Sequence, residues 1–157
     1  MDLNLEAFLL ESNAIEGIFR APTHKEVNSL ARFIRLNKIE VRDLTELVHV
    51  FQPNAVLRDT VGLDVMVGEH YPPRGGPNIK DKLNLILDRA HKCSEKHAPY
   101  VIHTQYETLH PYTDGNGRSG RALWLWHMII HSYPHRMIEL GFLHAFYYQT
   151  LTAADRK

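Results

Sequence analysis

The chain has 157 residues, a length that suits one domain with a real hydrophobic core. Apolar residues make up 44% and charged residues 23%, ordinary values for a soluble globular protein. Lys plus Arg and Asp plus Glu balance at 18 each, so net charge argues for neither a nucleic-acid nor a membrane-surface partner.

Residues 3–16 carry Leu3, Leu5, Phe8, Leu9 and Ile15 as the apolar members of a first helix, with Gly17 as its stop. The acidic residues here stand where a secretory signal would be basic, and no small-residue cleavage site follows. A cytoplasmic protein is expected. Thr23 and Glu26 are spaced as a capping box. Behind them Val27, Leu30, Phe33 and Ile34 keep a helical period to about Asn37. A short helix over 41–51 ends before Gln52-Pro53. Residues 56–77, VLRDTVGLDVMVGEHYPPRGGP, are rich in Gly and Pro and break helix, while Val61 to Val67 read as short strands. A small hairpin is expected there, although periodicity alone fits a surface loop equally well. Arg58, Arg74 and Lys80 flank it and read as solvated charges, with contact to a ligand as the alternative.

Helix returns over 79–96, with Leu83, Ile86, Leu87 and Ala90 on one face and Cys93 as a partly buried thiol. As the single cysteine, Cys93 excludes an internal disulfide and fits a reducing compartment. Pro99 opens the next helix, which runs to about Leu109, and Pro111 forbids its continuation. The segment 117–131 is apolar on nearly every side and reads as the buried central helix, with Trp124 and Trp126 in the core. Its apolar run, 122–130 interrupted by His127, is too short to span a bilayer. Pro134 closes it, and 141–151 forms a last amphipathic helix. His127, His131 and His135 fall at i, i+4 and i+8. Pro134 interrupts that series and no HExxH-like partner exists, so they read as surface or core-edge histidines. The fold expected is mostly α, compact, with a small β-hairpin.

HPYTDGNGRSGR, residues 110–121, stands immediately before the greasiest segment of the chain. Gly115, Asn116 and Gly117 precede the first turn of the buried helix, where free N–H groups and the positive helix end make an anion site. Arg118 and Arg121 are three apart and share a face, which suits more than one phosphate. Asp114 at the rim is a hard oxygen ligand of the kind Mg²⁺ accepts beside phosphate oxygens. His110 is a near-neutral base able to take a proton from a hydroxyl. Together these residues describe a phosphate-transfer site.

Those twelve residues resemble the Fic family signature, H-P-F-x-[DE]-G-N-G-R-x-x-R, at every defining position except Tyr112 for the usual Phe. The order of helices and the Gly/Pro-rich segment resemble a minimal Fic domain over essentially all of 1–157. The resemblance implies a protein adenylyltransferase that moves AMP from ATP onto a Ser, Thr or Tyr hydroxyl of a target protein and releases pyrophosphate. It implies His110 as base, Asp114 holding Mg²⁺ against the α and β phosphates, and Gly115, Asn116 and Gly117 as anion hole. Arg118 and Arg121 would hold the β and γ phosphates, and 56–77 would be the flap that pins the target by strand-like pairing. Ser12-Asn13-Ala14-Ile15-Glu16-Gly17 resembles the family's inhibitory motif, [ST]-x-x-x-E-[GN]. It implies that 1–17 is an inhibitory helix whose Glu16 reaches Arg121 in cis. Three alternatives stand beside this reading: removal of AMP by a Glu16-oriented water, transfer of another nucleotide or a whole phosphate, and a catalytically silent nucleotide-binding module. The family pattern for whole-phosphate transfer carries Lys at the second Gly, unlike this chain.

Overall fold

The computed structural model describes residues 3–154, and among these the chain is mostly helical. The single-domain reading of 1–157 and the first element 1–17 extend to residues 1–2 and 155–157, which lie outside the described residues. The helices are α1 (Leu5–Ile15), α2 (His24–Phe33), α3 (Val41–Phe51), α4 (Pro77–Lys92), α5 (Ala98–Leu109), α6 (Asn116–Ile130), α7 (His135–Glu139) and α8 (Phe142–Ala154). None is long and apolar enough to cross a membrane.

α6 is the axis of the fold. Every residue from Arg118 to Met128 is buried, and α1, α3, α4, α5 and α7 pack around it. An all-round apolar surface leaves a helix no solvent face, so it is enclosed. Its two indoles still find acceptors: Trp124 Nε1 donates to Gln149 Oε1 at 3.1 Å and Trp126 Nε1 to the Leu36 carbonyl at 2.8 Å. Both sit in the core, as their sequence setting suggests.

Local signals set several helix ends. The capping box of α2 is complete, with Glu26 N–H on Thr23 Oγ1 at 3.1 Å and Thr23 N–H on Glu26 Oε1 at 2.7 Å. At the end of α1, Gly17 at φ 76 occupies the left-handed position after the cap. Gly17 N–H bonds the Ala14 carbonyl and Ile18 N–H the Asn13 carbonyl, each at 2.9 Å, which is a Schellman closure. Only a residue free to take positive φ closes the helix there, and the closure leaves Glu16 as its C-cap residue.

Elsewhere tertiary contacts override the periodic reading. α4 stops at Lys92 rather than 96, where His131, the C-cap of α6, and His127 within it bond the carbonyls of Ala90 and Cys93 at 2.8 and 2.7 Å. Those two histidines tie helices together, and among the described residues no group of three or more His, Cys, Asp or Glu could hold a metal. α2 ends at Phe33, and the carbonyl of Leu36 beyond it turns to Trp126. The short α7 precedes the last helix and escaped the sequence reading.

The hairpin expected over 56–77 is smaller than the sequence suggests: Val67 and His70 exchange both N–H···O bonds, at 3.0 and 2.9 Å, across a two-residue turn, no strand runs through 61–66, and Leu57 bridges to Tyr112. Arg58 is a second correction. It is fully buried, not solvated.

Candidate active site

α5 ends at His110, whose φ of 51 and ψ of 63 place a non-glycine residue in the left-handed region. Such a residue costs on the order of 1–3 kcal/mol and persists only where its surroundings fix it. Pro111 follows and prevents the helix from continuing. The chain then turns through Tyr112 and re-enters helix at Asn116, with Gly115 as N-cap at φ 78. Asn116 closes this loop on itself: Tyr112 N–H donates to its Oδ1 at 2.9 Å, and its Nδ2 donates to the Tyr112 carbonyl at 2.8 Å. The Asn116 side chain is therefore a loop lock, and what it offers an anion is its backbone N–H alone.

Tyr112 is fully buried, and its hydroxyl meets Thr45 Oγ1 at 2.7 Å. Because Thr45 gives its own proton to the Val41 carbonyl at 2.8 Å, Tyr112 is the donor. This partner on α3 satisfies the polar atom that Tyr adds over Phe. Burial pushes its phenol up to about 12. On the other side, Tyr106 meets Ser119 Oγ at 2.6 Å, and Ser119 Oγ donates to the Gly115 carbonyl at 2.7 Å, joining α5 to the first turn of α6.

The two arginines share the face that looks toward α1. Arg121 Nε donates to Ser12 Oγ at 2.8 Å, and its Nη2 donates to the Ser12 carbonyl at 3.0 Å and to Glu16 Oε1 at 2.7 Å. The guanidinium is buried at 6% exposure while the Glu16 side chain is 39% exposed, so the carboxylate forms the wet end of the pair. Glu16 also lies directly against Gly117, where an added Cβ would collide with its carboxylate. A side chain at 117 would displace the carboxylate from its present place against the first turn of α6. Arg118 stacks over Phe51 at 5.0 Å, donates to the Phe51 carbonyl at 3.3 Å, and reaches Asn13 Oδ1 at 3.5 Å. It is largely occupied by structural partners, though it still lines the cleft described next.

Two clefts meet at His110. One of about 420 Å³ is lined by Glu16, Gln52, His110, Asp114, Gly117 and Arg118, and opens over the first-turn N–H groups of α6. Asp114 is exposed there; its Oδ1 accepts the Gly115 N–H at 2.7 Å, and its Oδ2 has no hydrogen-bond partner among the described residues. The other, about 410 Å³, is lined by Val67, His70, His103, Glu107, His110 and Phe146. Burial lowers the His110 ring below its ordinary value, with Arg58 and His70 pushing the same way and the Glu107 backbone and Asp114 opposing. A neutral imidazole between two clefts is suited to accept a proton.

The sequence reading missed Glu107, which sits on α5 against Gly120, one turn along α6 from the Gly117 that Glu16 touches. Burial pushes its carboxyl up to about 7, with Arg121 opposing and Glu16 adding. Its Oε1 is buried and unpartnered, against Gly120 and 3.8 Å from His103 Nε2. His103 itself is held down to about 4, mainly by burial.

The structure thus brings together His110, Asp114, Gly115, Asn116, Gly117, Arg118 and Arg121, and adds Ser12 and Glu16 from α1. A family model described as the Fic/DOC family matches residues 29–128, which takes in the whole 110–121 stretch and leaves Ser12 and Glu16 outside. No curated protein matches the chain.

Proposed function

The chain belongs to the Fic/DOC family, and on that premise we propose that it is a protein adenylyltransferase held off by its own Glu16. The observation that carries this reading is the Glu16 carboxylate on Arg121, seated against Gly117 at the positive end of α6. A carboxylate there stands in for an anion, and a polyphosphate would compete for the same cation and for the space over the first turn of α6.

In the open form the phosphates of ATP lie along Gly115, Asn116, Gly117 and Arg118, with the γ end on Arg121. The second cleft beyond His110 offers Phe146 and Val67 to a base and sugar. Asp114 fits Mg²⁺ only as one carboxylate beside phosphate oxygens, since among the described residues no group of three or more His, Cys, Asp or Glu could hold a metal. When bound, Mg²⁺ neutralises phosphate charge. His110 takes the proton from the target hydroxyl. That oxygen bonds the α phosphorus as the bond to the bridging β oxygen breaks, and pyrophosphate leaves. Positioning and charge stabilisation supply the catalysis. The exposed segment around Val61, Met66 and Tyr71 is the surface on which a target protein would lie, and the protein is expected to act in the cytoplasm.

ATP labelled separately at the α and γ phosphates tests the reaction class on Glu16→Gly protein. Label from the α position on protein, abolished by His110→Ala, is the expected result. Label from the γ position alone would make the protein a phosphotransferase.

A further inference from the structure

We propose that Arg58 is a positioning residue, whose guanidinium ties both ends of the 63–73 segment to the backbone of Leu109 and His110 and so aims the His110 side chain. The proposal rests on reading His110 as the base.

Arg58 has no exposed surface and forms no ion pair among the described residues. Its charge is met by four carbonyls. Nε donates to His110 at 2.7 Å and Nη2 to Leu109 at 2.9 Å, while Nη1 donates to Leu63 at 3.1 Å and Pro73 at 2.8 Å. Its backbone joins the same two regions: Arg58 N–H bonds the Pro111 carbonyl and Gly76 N–H bonds the Arg58 carbonyl, each at 2.9 Å. One planar fork with fixed donor angles therefore spans the end of α5, the left-handed His110 and both limbs of the exposed segment. An ammonium, a single point of charge, cannot reach all four acceptors.

A buried cation is costly even with the Asp64 carboxylate favouring its charge from a distance, and core packing alone would be met by an apolar side chain. What the charge supplies here is geometry at His110, a residue whose positive φ needs external support. It also acts on the ring. The groups facing His110 are Arg58 and His70, which disfavour the imidazolium, and Asp114, which favours it. Arg58 is the fixed cation among them.

The test compares Arg58→Gln and Arg58→Lys with the unmodified chain, following the His110 ring titration by NMR and amide exchange across 59–75. Removing the cation should raise the His110 pKa. Both variants should speed exchange across 59–75, on the order of tenfold, because acceptors lose their donor. The Lys variant keeps the charge, so its His110 titration should stay near that of the parent. In a Glu16→Gly background the acid limb of the pH–rate profile should move up for Gln and stay for Lys, a split that lost packing alone would not produce. A folded Arg58→Gln protein with parental His110 titration or parental exchange overturns the proposal. Should that variant not fold, parental exchange in Arg58→Lys overturns it instead. If neither background transfers nucleotide, the functional reading falls, while titration and exchange still decide the role of Arg58.

Discussion

The first turns of α6 have two flanks, and they are built differently. On the α1 side, Arg121 is matched group by group: Ser12 gives a hydroxyl and a carbonyl, and Glu16 gives a carboxylate at 2.7 Å. On the α5 side, His110 is lowered by burial, His103 is held near 4, and Glu107 is raised to about 7 with a buried oxygen that has no partner. The paired arginine on the α1 side stabilises one arrangement; burial on the α5 side keeps groups near neutral charge. Perturbed titration clusters where chemistry is done, whereas matched pairing holds a shape. On the function proposed above, α1 would regulate and α5 would carry the reaction.

The largest effect should come from the reacting flank. His110→Ala in a Glu16→Gly background should lower transfer by about 10²–10⁴-fold while ATP binding by calorimetry persists. Equal loss of binding and transfer would mean that His110 holds phosphate rather than moving a proton. Next comes the matched flank. Glu16→Gly should raise transfer roughly tenfold, the scale of one charge-assisted hydrogen bond that is partly exposed. Its stability cost should be small, because Arg121 keeps both Ser12 contacts.

A smaller effect depends on pH and comes from Glu107 and His103. Glu107 has a folded value near 7 against an ordinary 4.5, so the folded protein binds its proton more tightly than the unfolded chain. That contribution is full below about 4.5 and is lost as pH rises through 7. The advantage in melting temperature of the parent over Glu107→Gln should therefore shrink across that window. His103 works oppositely, its contribution present above 6.5 and lost as pH falls through about 4. The smallest change in activity is expected for Ser12→Ala, which strands Arg121 Nε but leaves the Ser12 carbonyl in place. It should lower stability by about 1–3 kcal/mol in denaturant melts and raise transfer less than Glu16→Gly does.

What was legible in the sequence is what short-range chemistry decides. Thr23 and Glu26 cap α2, Gly17 closes α1, Pro111 ends α5, and the 110–121 loop folds on bonds between Tyr112 and Asn116, four residues apart. The sequence also placed Glu16 opposite Arg121, though only through a motif, since the contact spans 105 residues. Long-range bonds hid the rest. Arg58 looks like a surface charge because its acceptors at Leu109 and His110 lie 51 and 52 residues away. The end of α4 falls where His127 in α6 and its C-cap His131 take the carbonyls of Cys93 and Ala90. Val61 to Val67 suggested short strands, but within the segment only Val67 finds a partner, His70 just across the turn, while Leu57 bridges to Tyr112.

The claim at the centre of this account is that the Glu16–Arg121 pair holds a competent site closed. Intact mass after incubation with MgATP tests it most directly, comparing the parent chain, Glu16→Gly, and Glu16→Gly with His110→Ala. An AMP adduct is expected on Glu16→Gly, little on the parent, and none when His110 is also replaced. Equal adduct on the parent and Glu16→Gly, with both folded and binding ATP, would contradict it and leave Glu16 an ordinary helix-end residue.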